Sequence, residues 1–119
     1  MRKIEKMMIQ AVNSKKGFTL DNTAVEYLPA LDTPTHARIE YSKIFLHGHH
    51  IASYDYARGE YTPNLMTLAA WPSRTTKSRL RALGLNVSTR KGVTYYNDKP
   101  LHETQRQGLA NVIGVTNQF

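Results

Sequence analysis

The chain has 119 residues and not one cysteine. That excludes a disulfide framework, a thiolate zinc finger, a cysteine nucleophile and an iron–sulfur centre. No apolar run approaches the roughly 20 residues that cross a bilayer as a helix. The opening residues Met1–Lys6 also lack the apolar stretch and small-residue cleavage site of a secretory signal. A soluble cytoplasmic protein with no membrane partner is therefore expected. The sequence contains no phosphate loop, dinucleotide fingerprint or nucleophile elbow. Its nine acidic residues are too scattered to suggest paired carboxylates for acid–base work. No catalytic residue and no cofactor is indicated. The length suits one domain spanning 1–119, large enough for a core without metal or disulfide staples.

The most telling absence is of negative charge in one region. The chain carries 16 Lys+Arg against nine Asp+Glu, a formal net charge of +7. From Tyr61 to Asn97 there is no Asp or Glu, while Arg74, Lys77, Arg79, Arg81, Arg90 and Lys91 all fall there. The rest of the chain is nearly neutral. A clustered positive field attracts a polyanion, whereas dispersed charge chiefly aids solubility.

Hydrophobic periodicity gives a coarse map. Residues 2–14 read as an amphipathic helix with Ile4, Met7, Met8, Ala11 and Val12 on one stripe, and Gly17 as its stop. Thr23–Leu28 reads as a short strand and Pro29–Thr35 as a loop. Arg38–His47 reads as a longer strand whose broken alternation calls for a bulge near Ser42-Lys43. A turn at Gly48-His49 leads to a strand over His50–Tyr56. After a turn at Ala57–Glu60, the apolar run Leu65–Trp71 reads as a central strand ended by Pro72. Ser73 or Thr75 can cap a helix to about Leu83, with Gly84 just past its end and Thr76, Leu80 and Leu83 inward. Val87–Arg90 and Val93–Tyr96 form a hairpin around Lys91-Gly92, followed by a turn at Asn97–Pro100 and a weak helix around Leu109–Ile113. The expected fold is α+β, a small, mainly antiparallel sheet with the N-terminal helix and the basic helix packed on it.

Two segments carry candidate chemistry. In the basic helix, Arg74, Lys77 and Arg81 share a face at i, i+3 and i+7, and the hydroxyls of Thr75 and Ser78 can donate to phosphate oxygens. The bland reading is a solvated helix face, but such faces usually mix both signs of charge. The hairpin adds Arg90 and Lys91 at its tip and Tyr95 and Tyr96 behind it, of which one should face the core. Trp71, just before the basic helix, reads as a core residue, with base stacking as the alternative. The cluster His47-Gly48-His49-His50 invites a metal reading, with His36, Asp55 and His102 as remote candidates. Its spacing matches no ligand motif, and no metal is expected.

Three short motifs occur in a fixed order: Asn22-Thr23-Ala24-Val25 after the first helix, Leu46-His47-Gly48-His49-His50-Ile51-Ala52, and a segment from Trp71 through Thr75-Thr76-Lys77-Ser78-Arg79-Leu80. With the opening Arg2–Met8 they resemble a group of small proteins from tailed bacteriophages, over residues 2–96. The chain departs from that pattern in longer connections at Pro29–Thr35 and Tyr56–Asn64, and in Arg81, where Asn is common. The resemblance implies phage origin and the host cytoplasm, and implies no chemistry. The combined expectation is a small basic accessory protein that binds DNA or RNA without catalysis. The alternative is a binder or inhibitor of a host protein, and a metal-dependent nuclease using the histidines is a third class.

Overall fold

The computed structural model describes residues 1–32 and 37–101. Part of the expected loop at 29–35, the expected C-terminal helix at 109–113, and His36 and His102 lie outside the described residues. The architecture is α+β and mainly antiparallel, in two compact units, Met1–Asn64 and Leu65–Phe119.

The first unit opens with α1 (Lys3–Asn13), which turns its expected stripe inward. Met8, Ala11 and Val12 are buried, with Ile4 and Met7 at the margin. Glu5, in the first turn, is also buried, and its carboxylate accepts the backbone N–H of Arg2 at 3.3 Å. The helix ends at Ser14, and Lys15 takes the left-handed conformation (φ +55°), so the stop comes two residues before the expected Gly17. Strands β1 (Phe18–Leu20), β2 (Thr23–Asp32), β3 (Ala37–Leu46), β4 (His49–Asp55) and β5 (Glu60–Pro63) form one antiparallel meander in sequence order. Strands β1 and β5 are edge strands that periodicity did not signal, being too short to show an alternation. β2 runs on through Pro29, where a loop was expected.

One face of this sheet meets α1, which packs on β1 and β2. The cross-strand pairs Val25↔Ile44, Thr23↔Leu46 and Ile44↔Ala52 put their side chains on that face, and all five residues are buried. The irregularity expected near Ser42-Lys43 occurs instead between Ile44 and Phe45 in the pairing with β4. It leaves Ile51 as the extra residue, so the consecutive residues Ile51 and Ala52 are both buried. Between β3 and β4 the turn is His47-Gly48, with positive φ at both positions, the pattern of a type I′ hairpin.

The second unit corrects the sequence reading most sharply. Leu65–Ala70 is not a strand but a short helix, α2. Leu, Met and Ala are strong helix formers, and the segment has Thr67 alone as a β-branched residue. Helix α3 (Arg74–Ala82) follows a three-residue connector. Ser73 caps it, its hydroxyl accepting the Thr76 N–H at 3.1 Å. Gly84 (φ +88°) ends it as anticipated: the Leu85 N–H returns to the Leu80 carbonyl and the Gly84 N–H to that of Arg81, a Schellman closure. Thr76, Leu80 and Leu83 are buried as expected, and so is Arg79. The hairpin β6 (Val87–Arg90) and β7 (Val93–Tyr96) turns at Lys91-Gly92 as read from the sequence. A second two-residue turn, Asn97-Asp98, adds β8 (Lys99–Pro100). These three strands form a sheet of their own, and α3 packs against β6. The basic helix and the N-terminal helix therefore belong to different sheets, where one shared sheet was expected.

Candidate nucleic-acid interface

Residues 65–101 contain seven basic residues and a single acid, Asp98. Burial sorts the basic ones. Arg79 is 3% exposed and is a structural residue of α3. Arg74, at the start of the helix, and Lys91, at the hairpin tip, are exposed. Two of the expected contacts also hold the unit together: Lys77 donates through Nζ to Thr89 Oγ1 at 2.6 Å, and Arg81 donates to the Val87 carbonyl at 3.1 Å. Burial, and then the neighbouring Arg81 charge, push the Lys77 ammonium below its ordinary pKa. Thr75 and Ser78 are half-buried.

Arg90 is placed differently. Its guanidinium lies 4.5 Å from the centre of the Tyr95 ring and is paired with Asp98. Adjacent residues of a strand face opposite ways, so Arg90 lies across the ribbon from Thr89, which takes Lys77. The structure thus joins Lys77 and Arg81 to the hairpin, leaves Arg74 and Lys91 open to solvent, and puts Arg90 on the other face. Sequence spacing alone grouped all of these. Of the hairpin tyrosines neither is fully buried, and Thr94 is the inward residue of β7.

Trp71 was expected in the core beneath α3. It is 53% exposed. Its N–H closes the last turn of α2 on the Thr67 carbonyl at 2.8 Å. The following proline disfavours a helical conformation at this position, so the chain leaves the helix here. Residues 70–74 are all exposed as a result. The signal that could have found this is the helical propensity of Leu65–Ala70, which the apolar run masked.

The described histidines do not assemble a metal site. His47 and His49 are exposed. His50 is half-buried, with Nε2 2.8 Å from Ser53 Oγ and its ring against Phe45. Among the described residues no three metal-ligating side chains converge. Likewise no described helix is long and apolar enough to cross a membrane.

A polar cluster in the first unit was not foreseen. Glu40 accepts from the Tyr27 hydroxyl and pairs with Lys15 at 3.0 Å. Tyr56 donates to the Val12 carbonyl at 2.5 Å, and Ser42 Oγ lies 2.7 Å from the same hydroxyl. Rings of Tyr27, Tyr54 and Tyr61 surround Tyr56 or its neighbour at 4.6–5.9 Å. These bonds tie the end of α1 to β2, β3 and the end of β4, which is a fastening role. Sequence distance hid them, since the partners lie up to 44 positions apart.

The model of the Kyanoviridae Gp96 protein matches residues 1–112. The chain belongs to that family. The match spans both units of the fold and agrees with the phage resemblance of the sequence motifs. No curated protein and no solved structure matches the chain. The family identity makes this a phage protein and assigns no chemistry to the basic face.

Proposed function

We propose that the protein is a non-catalytic nucleic-acid-binding accessory protein of the phage, acting in the host cytoplasm through α3 and the β6–β7 hairpin. The observation that carries this reading is the charge of residues 65–101: seven basic side chains, with the sole acid, Asp98, engaged by Arg90. A face that only needed solubility would mix both signs, whereas phosphate binding requires this imbalance. Arg74 and Lys91 supply exposed charge. Lys77 and Arg81 fix the hairpin to the helix and so hold the two charged elements in one geometry.

The test is the salt dependence of oligonucleotide binding by the intact protein and by a variant with Arg74→Ala and Lys91→Ala. Both side chains are exposed, so the variant should fold. Loss of two phosphate contacts flattens the slope of log K against log salt by about 1.4 to 1.8. An unchanged slope and affinity would remove these residues from the interface. Failure of the intact protein to bind any oligonucleotide, with a host protein retained from lysate after nuclease treatment, would favour a protein target instead.

A further inference from the structure

Two side-chain bonds fix the order in which α3 meets the hairpin. Lys77 reaches Thr89, and Arg81, one turn further along the helix, reaches the carbonyl of Val87 at the far end of β6. Running back along α3 therefore runs forward along β6. The turn of helix that begins at Arg74 lies towards the hairpin tip at Lys91-Gly92. The rise from Arg74 to Arg81 and the rise from Val87 to Arg90 are both about 10 Å, so the two elements keep pace. The tip is a two-residue turn with positive φ at both positions, +50° and +78°, and it holds Lys91 on a short closed ribbon. On α3, Thr76, Arg79, Leu80 and Leu83 are buried, while Arg74 and Arg81 are exposed at helical spacing on the opposite side. The element order is α2, a three-residue connector, α3 and the hairpin. That is the order of a helix-turn-helix with a ribbon added behind its second helix.

We infer that the second unit binds duplex DNA, with the Arg74–Arg81 face of α3 laid in the major groove and Arg74 and Lys91 on the phosphates that flank it. This rests on the nucleic-acid reading of α3 and the hairpin and names the form of nucleic acid. The nine residues of α3 span about 13 Å, and a B-form major groove about 12 Å wide admits a helix. The major groove of duplex RNA is too narrow for one. A single strand has no groove and is held largely by stacking on aromatic rings. On the hairpin, the Tyr95 ring already carries the Arg90 guanidinium 4.5 Å from its centre. Cations held at a set spacing by folded elements fit a polyanion that is itself rigid, because neither side then loses much freedom on binding.

The test titrates the intact protein against labelled probes at equal salt, with binding read by anisotropy. The probes are a short blunt DNA duplex, the RNA duplex of the same sequence and one of the DNA strands alone. The DNA duplex should bind about tenfold or more tightly than either of the others. A second DNA duplex carries a bulky substituent at C5 of its cytosines, the position that projects into the major groove, with its phosphates unchanged; it should lose that advantage. Arg74→Glu should weaken duplex binding about tenfold or more. It should still melt at nearly the same temperature, since the side chain is exposed and a carboxylate suits the first turn of a helix. Lys91→Asn keeps a residue pair suited to the turn and removes only the charge, so the salt slope should flatten by about 0.9. Equal or tighter binding of the single strand or the RNA duplex would overturn the inference. So would equal affinity for the C5-substituted duplex, or unchanged duplex binding by Arg74→Glu. Each of these leaves nucleic-acid binding by the intact protein standing. Absence of binding to every probe would overturn both that reading and this one.

Discussion

The two units use charge in opposite ways. In Met1–Asn64 eight basic and seven acidic residues nearly cancel. There, Lys15 and Glu40 pair with each other, Glu40 holds Tyr27, and buried Glu5 closes the start of α1. In 65–101 seven basic residues stand against one acid, with Arg74 and Lys91 left at the surface. A charge with a partner inside the fold contributes to stability. A charge kept exposed among like charges slightly opposes folding and stays available to solvent and to an external anion. Under the proposed function, the first unit is the better-paired part and the second carries the binding charge.

The largest effect is expected in the first unit. Ile44 is fully buried on β3, and Ile44→Ala should cost about 2–5 kcal/mol in urea unfolding. A loss below about 1 kcal/mol would mean that the sheet is not the rigid part of the comparison. Glu40→Ala should follow at about 1–3 kcal/mol, because the Tyr27 hydroxyl and the Lys15 ammonium both lose their acceptor. The same kind of charge removal in the second unit, Arg74→Ala, should change stability by less than about 0.5 kcal/mol while weakening oligonucleotide binding. If Arg74→Ala destabilised as much as Glu40→Ala, the distinction between the two units would collapse.

The pH effects are smaller and sharpen the first unit's side. Burial, followed by the phenolic charges of Tyr54 and Tyr56, pushes the Tyr61 hydroxyl up to about 12. The unfolded chain therefore loses this proton more readily, and its stability contribution falls as pH rises from about 10 towards 12. Tyr61→Phe should flatten the alkaline limb of a melting-temperature profile. His50 shifts the other way. Burial lowers its pKa, against a hydrogen bond to the Ala52 backbone that raises it, with the nearby Lys43 charge adding to the lowering. The unfolded chain then binds the proton more tightly, so stability is full above about 6.5 and declines as pH falls below it. His50→Gln should remove this small acid-side slope, and a slope that persisted would assign it to another group.

Local signals made much of the frame legible. The stripe of α1 was read from spacing, the cap at Ser73 and the stop at Gly84 from turn chemistry, and the hairpin turn at Lys91-Gly92 from its residues. Each of these is decided within a few positions of chain. Leu65–Ala70 failed because a short apolar run fits a buried strand and a helix equally well by periodicity. Of the candidate interface, the concentration of charge was visible in the amino-acid order, but its division was not: Lys77 and Arg81 turned towards β6, Arg90 over Tyr95, and Arg74 left open.

By itself, then, the sequence determined the charge asymmetry, the cap and stop of α3 and the turn at Lys91-Gly92, because composition and backbone preference are properties of residues and their near neighbours. Tertiary structure alone decided which cations were consumed in packing, that the hairpin built its own sheet with β8, that Tyr56 met Val12, and that Trp71 faced outward. Those outcomes depend on the register of distant strands and on which face of each element found a partner, and no local pattern along the chain records either.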